Sequence, residues 1–75
     1  MAEVPPESAA LAEIEKALHR LDQELNRLRQ RIFHIEKGLV RPPDPEAALA
    51  ELRQRFEEAG QEFVRLYRQW QALQR

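Results

Sequence analysis

The residue types that most often carry covalent catalysis are nearly absent from this chain. It has no Cys and no Thr, and its single Ser is Ser8, near the start. A cysteine nucleophile is therefore excluded, and a serine triad is not expected. Gly38 and Gly60 are the only glycines, so no glycine-rich loop can cradle a phosphate or a nucleotide. We predict that the protein is not an enzyme and binds no cofactor.

A weak metal-binding pattern is present in the first half of the chain. Glu15, His19 and Asp22 are spaced i, i+4 and i+7, so they would share one face of a helix. Such groups arise easily in a chain that is 33% charged, and we interpret this one as a solvated helix face. Glu57 and Glu58 are adjacent, so on a helix they would point about 100° apart and not converge. We therefore predict no metal site.

Size and charge limit what the chain can do alone. A chain of 75 residues without cysteine forms at most one small domain with a marginal core and no disulfide. Such a chain is expected to gain stability by self-association or by docking on a partner. Its net charge of −1 favours neither nucleic acid nor a membrane surface. Because residues 1–7 lack the basic and apolar segments of a signal peptide, we expect a cytoplasmic location.

The first half of the chain repeats apolar residues at the spacing of a coiled coil. The steps alternate between three and four residues, which places these side chains along one line of a helix, called the seam here. Gly38 suits a helix end, and Pro42 disfavours helix at the residue before it. We predict a flexible tail over residues 1–7, a cap at Ser8 and a helix over about 8–39. The seam residues are Leu11, Ile14, Leu18, Leu21, Leu25, Leu28, Ile32, Ile35 and Leu39.

The second half begins with a helix-start signal and continues the same spacing. Asp44 is a good N-cap, Pro45 suits the first helical position, and Glu46 suits the positive end of the helix dipole. We predict a turn over 40–44 and a second helix over about 45–74, so that residues 8–75 form one helical hairpin. The seam residues of this helix are Leu49, Leu52, Phe56, Ala59, Phe63, Leu66, Trp70 and Leu73.

The two seams match if the chain folds back at Pro42. Each seam residue then meets one whose number sums with it to 84, so that Leu11 meets Leu73 and Ile35 meets Leu49. Every layer combines an a position with a d position, as an antiparallel coiled coil requires. The fold class predicted is therefore all-α, an antiparallel helical hairpin. A domain-swapped dimer would use the same contacts between two chains and is the alternative.

The residues that flank the seam are less consistent with an isolated hairpin. In this register Arg31 faces Arg55, and Glu24 faces Glu62. These like charges either turn into solvent or find opposite charges on a second hairpin. An antiparallel second copy centred near residue 27 would set Glu24 against Arg31, and Glu62 near Arg55, of the other chain.

A second set of apolar residues lies beside the seam, where a two-helix hairpin cannot bury it fully. These residues are Phe33, Val40, Val64 and Tyr67. In the antiparallel dimer Phe33 would come level with Val64 of the other chain, and Val40 with Tyr67. We predict a homodimeric four-helix bundle whose interface includes both these residues and the four flanking charges. The alternative is a docking patch for a different protein.

The segment Pro42-Pro43-Asp44-Pro45-Glu46-Ala47-Ala48-Leu49-Ala50 resembles the turn and second-helix start of type III secretion needle subunits. The shared feature is a Pro-x-Asp-Pro turn, and the resemblance covers these nine residues only. It implies a small helical hairpin that is a subunit or co-chaperone of a larger helical assembly. The first helix here is far more regular than that family implies.

Together these patterns predict a non-catalytic protein–protein interaction or assembly module, which buries an apolar helix face against itself or a helical partner. A nucleic-acid-binding bundle that uses Arg27, Arg31 and Arg41 is an alternative, although these residues are interleaved with acids. A designed helical bundle is another, because unbroken heptads and a clean helix start are typical of design. The like charges beside the seam and Gly60 are not typical of design.

Overall fold

The computed structural model describes residues 6–74, and the side chains of residues 9–74. The chain forms two α-helices, α1 over Pro6–Glu36 and α2 over Pro45–Leu73, which pack against each other as a helical hairpin. The predicted all-α hairpin is confirmed. None of the helices in this part of the chain is long and apolar enough to span a membrane.

Helix α1 begins earlier than the sequence pattern indicated. Residues 1–5 of the predicted tail lie outside the described residues, but Pro6 and Glu7 belong to the helix. Ser8 therefore lies within α1, and the prediction that it caps the helix is wrong. Proline suits the first turn because its missing N–H would have no helical partner there.

Helix α1 also ends three residues before the predicted end at residue 39. Gly38 adopts φ of 73°, a left-handed conformation that glycine tolerates without a Cβ clash. The backbone N–H groups of Leu39 and Val40 both donate to the carbonyl of His34, at 2.8 and 3.2 Å. These bonds turn the chain out of the helix, so Leu39 leaves the seam and is 69% exposed. Its assignment to the seam is wrong.

The start of α2 follows directly from its local sequence. The Asp44 carboxylate accepts a hydrogen bond of 3.1 Å from the backbone N–H of Ala47, and Pro45 is the first helical residue. The backbone of Asp44 is extended, as an N-cap requires. The turn between the helices is therefore fixed from both sides, by Gly38 and by Asp44.

The core lies along the predicted seam but is thin. Leu28, Leu52 and Ala59 are the buried apolar residues of the described chain. Leu73, the last residue of α2, is 37% exposed. The remaining seam residues, which are half-buried, are Leu11, Ile14, Leu18, Leu21, Leu25, Ile32, Ile35, Leu49, Phe56, Phe63, Leu66 and Trp70.

The open end of the hairpin is joined by a hydrogen bond between the helices. The Trp70 indole N–H donates to the Glu15 carboxylate at 3.1 Å. The predicted register sets Trp70 beside Ile14, so this bond lies within one residue of it. The indole can thus bury its apolar body at the seam while its N–H has a partner at the edge.

Candidate protein-interaction surface

Large apolar side chains stand exposed outside the seam. Phe33 is 52% exposed, Val40 53%, Val64 48% and Tyr67 43%. These are the four apolar residues that the sequence placed beside the seam. Isolated exposed apolar residues are common on proteins, so what matters is how these are grouped.

A cavity of about 300 Å³ lies near the turn, between the two helices. Arg31 of α1 and Arg55 of α2 both line it, as the predicted facing of these residues requires. Val40 lines it as well, from the loop. The remaining lining residues are His34, Ile35, Pro42, Ala48, Glu51 and Leu52.

Several arginines of α2 lie beside a carboxylate of the same chain. Arg55 contacts Glu51 at 2.6 Å, one turn away, and Arg65 forms an ion pair with Glu62. Arg53 reaches across the seam to Glu36 of α1 at 3.8 Å. One member of each like-charge contact expected from the register, Arg55 and Glu62, therefore pairs with an opposite charge on its own helix. These pairs are largely exposed, and each contributes little to stability.

A second, open groove follows the outer side of α2 around Gly60. It is lined by Glu57, Gly60, Val64 and Arg68, together with Gln61 and Arg65. A Cβ added at Gly60 would have no heavy atom within 4 Å, so the missing side chain leaves open space beside the helix backbone. Val64 forms the apolar part of this groove.

Aromatic rings follow one another along the end of α2. Tyr67 stacks between Phe63 and Trp70, with ring centroids 6.3 and 5.6 Å away. On α1, the Phe33 ring packs against His34, and the Lys37 ammonium lies 5.8 Å from its centroid. Tyr67 is thus held in place by packed neighbours, whereas Phe33 contacts polar side chains of its own helix.

The predicted interface residues fall on two different sides of the hairpin. In an antiparallel helix pair, one flank of the seam is formed by the g positions of both helices, and the other by the e positions. The g flank carries Glu24, Arg31, Arg55 and Glu62, and we call it the charged face. The e flank and the b positions beside it carry Phe33, Val64 and Tyr67, and we call this side the aromatic face.

Val40 separates from the other apolar residues. It lines the cavity between Arg31 and Arg55, and so belongs to the charged face. Val40 therefore does not lie on the same side of the hairpin as Phe33, Val64 and Tyr67. The reason is the helix end at Glu36: beyond it, the heptad position no longer determines where a side chain lies.

The sequence did not single out every residue of the cavity. Ala48 and Glu51 lie one turn apart at g and c positions of α2, which could have marked them as part of the charged face. Pro42 and His34 had no such signal, because their place depends on the path of the loop.

The residues considered for metal chemistry are arranged as ordinary surface residues. His19 and Asp22 are exposed, and Glu15 accepts the hydrogen bond from Trp70. Within the described part of the chain, His, Asp and Glu side chains form no group of three that could hold a metal ion.

Comparison with protein-family models, curated proteins and solved structures gives no significant match to this chain. The resemblance of residues 42–50 to secretion needle subunits stays a prediction from those nine residues.

Proposed function

We propose that this protein is a non-catalytic protein–protein interaction module that assembles as a homodimeric four-helix bundle. The observation that carries the proposal is the thin core. Only Leu28, Leu52 and Ala59 of the described residues are buried, and most other seam residues are only half-buried. A second hairpin would cover one side of the seam and remove more apolar surface from water.

The surface area of the chain supports this proposal. The accessible surface is 6296 Å², whereas a compact monomer of 8.9 kDa would expose about 4,800 Å² by the usual scaling with mass. The excess is about 1,500 Å², and a stable interface of standard size covers about 800 Å² on each partner. The excess reflects the elongated shape of the hairpin, 56 × 22 × 15 Å, and is larger than the area that one such interface covers.

The mechanism of such a module is the burial of a helix face, with charges that set orientation. Apolar area supplies most of the free energy of association, and charged residues at the edge select the partner and its direction. Both kinds of residue are available on the two faces of this hairpin.

Nucleic-acid binding gains less support from the arrangement of the arginines. The alternative names Arg27, Arg31 and Arg41, which are interleaved with acids along the sequence. The further arginines Arg53, Arg55 and Arg65 each lie within ion-pair distance of a carboxylate, which competes with phosphate for the guanidinium group. A phosphate-binding face would need a row of cations free of acids.

The proposal is tested by the mass of the protein in solution. Light scattering behind size-exclusion chromatography, at two protein concentrations and two salt concentrations, should give about twice 8.9 kDa. A folded monomer at the highest soluble concentration, with helical circular dichroism, would contradict the homodimer. The half-exposed apolar residues would then be the docking site to test for a different partner.

A further inference from the structure

Each helix carries one acid and one base on the charged face, and an antiparallel copy of the same helix presents them in the opposite order. On α1, Glu24 precedes Arg31 by seven residues, and on α2, Arg55 precedes Glu62 by seven. Seven residues are about two helical turns, so each acid and its base lie along one line of their helix. A second copy laid antiparallel on this face would therefore present acid to base at all of these positions.

One two-fold axis can serve both helices. The midpoint between Glu24 and Arg31 lies between residues 27 and 28, and that between Arg55 and Glu62 lies between residues 58 and 59. In the register of the hairpin these two midpoints differ in height by two residues, or about 3 Å. Glutamate and arginine side chains are long enough to compensate for this offset.

We propose that the charged face is the self-association surface. In the dimer, Glu24 of each copy lies against Arg31 of the other, and Arg55 lies against Glu62 of the other. This inference rests on the proposed homodimer and specifies which side of the hairpin forms it, in which direction, and by which contacts.

The ion pairs of the single hairpin can be exchanged for pairs between copies. Within one chain, Arg55 pairs with Glu51, and Arg65 pairs with Glu62. The same two-fold axis brings Arg55 to Glu62 and Arg65 to Glu51 of the other copy. All four charges thus keep an opposite partner when the dimer forms, so the association leaves none of them uncompensated.

The shape of the charged face also suits a second copy. Ala17 and Ala48 are small, half-buried residues on this flank, which lets another helix approach closely. The cavity between Arg31 and Arg55 has an apolar floor that includes Ile35 and Leu52. The carboxylates of Glu24 and Glu62 from the other copy would enter beside the two guanidinium groups, with their apolar stems over this floor.

The aromatic face does not satisfy the same symmetry. An antiparallel copy about this axis would set Phe33 near Asp22, and Val64 near Arg53, of the other chain. Apolar side chains would then be buried against charges, which costs free energy. About the axis that pairs acid with base on the charged face, the aromatic face therefore offers a second copy no apolar contact at Phe33 or Val64.

Charge reversal at two positions tests the contact directly. Glu24→Arg or Arg31→Glu alone creates two like-charge contacts per dimer, and each should weaken dimerisation by about 10-fold or more, measured by sedimentation over a concentration series. The double variant E24R/R31E restores opposite charges and should recover the parent dissociation constant. An equimolar mixture of the two single variants should form mainly the mixed dimer, which native mass spectrometry resolves by mass.

Control variants distinguish loss of the charged-face contact from a folding defect and from an interface on the aromatic face. Within one hairpin, Glu24→Arg places a positive charge opposite Glu62, and Arg31→Glu places a negative charge opposite Arg55. Each single variant should therefore keep its helical circular dichroism. Glu57→Arg and Arg68→Glu make the same charge changes on the outer groove of α2 and should leave the dimer unchanged. The variant F33D/V64D on the aromatic face should also remain dimeric.

The outcomes distinguish the two levels of the proposal. If the unsubstituted protein is monomeric, the homodimer itself is contradicted. A parent dimer that survives E24R and R31E but dissociates in F33D/V64D keeps the homodimer and overturns the charged face as its surface. A weaker single variant that the double variant fails to rescue also overturns the antiparallel pairing.

Discussion

The charged face and the aromatic face flank the same seam, yet they differ in the contacts that their side chains make within the chain. On the charged face, Arg55 and Glu62 have opposite charges within the chain and could find others on a second copy. On the aromatic face, Phe33 and Val64 keep about half of their surface exposed, and Gly60 opens a groove beside Val64. The comparison shows that one amphipathic hairpin can carry two surfaces of different chemistry.

This difference bears on what each surface can recognise. Ion pairs depend on orientation and lose strength in salt, so a charged surface selects direction as well as partner. Apolar contacts depend on area and tolerate many partners. Substitutions and salt can therefore show whether the two faces behave separately.

Leu52→Ala should affect both faces at once, because both are flanks of the seam in which Leu52 is 5% exposed. Removing a buried leucine side chain costs about 2–5 kcal/mol of unfolding free energy. Urea unfolding followed by circular dichroism, at a fixed protein concentration, measures this loss. Leu39→Ala is the matched control: Leu39 is 69% exposed, so its loss should change stability by less than about 0.5 kcal/mol. Equal effects of the two substitutions would show that the seam is not the core.

Salt should weaken the dimer if the charged face forms it. Of the four pairs that two-fold symmetry gives from Glu24, Arg31, Arg55 and Glu62, only the two Glu24–Arg31 pairs are new, because Arg55 and Glu62 already have partners in the single hairpin. At about 0.5 kcal/mol each, their screening weakens dimerisation by about 1 kcal/mol, or roughly 5-fold. Sedimentation in 0.05 M and 1 M sodium chloride, over which the Debye length falls to about 3 Å, measures the change. The double variant E24R/R31E should show the same salt dependence. A dimer that becomes tighter in salt would indicate the aromatic face instead.

The smallest expected effects are those of alanine at the two glycines, which should change the unfolding free energy in opposite directions. Gly38→Ala forces a side chain into a φ of 73° and should cost about 1 kcal/mol of unfolding free energy. Gly60→Ala adds a methyl group to a helix interior with open space around it and should gain up to about 1 kcal/mol. Thermal or urea unfolding of the two variants measures both changes in unfolding free energy.

Gly60→Ala also distinguishes the two faces. Because Gly60 lies beside the aromatic face, the substitution should leave the dissociation constant of the dimer unchanged. A weaker dimer would mean that a second copy packs closely against the backbone of α2 at this position.

Much of the hairpin could be predicted from the sequence because its signals are local. The three-and-four spacing located the residues that line the contact between α1 and α2, including Leu28 and Leu52. Asp44 and Pro45 predicted the first residue of α2 correctly. Each of these signals depends only on neighbours within one or two helical turns, and nothing elsewhere in the chain opposes it.

The candidate surface was harder to predict because it depends on how several segments are placed together. Val40 was grouped with Phe33 by its sequence spacing, but the turn at Gly38 carries it to the cavity beside Arg31. The early end of α1 similarly moved Leu39 out of the seam. Periodicity says nothing about a residue once the helix that defines the period has ended.

The amino-acid sequence was enough to predict the two helices, the seam between them and the facing of Arg31 and Arg55, because spacing along a helix sets the side on which a residue lies. The position of Val40 was evident only from the folded chain, which brings it to the cavity that Arg31 and Arg55 line. The same holds for the separate groove at Val64. The path of a loop and the openness of a groove depend on the packing of the whole hairpin, so no local pattern predicts them.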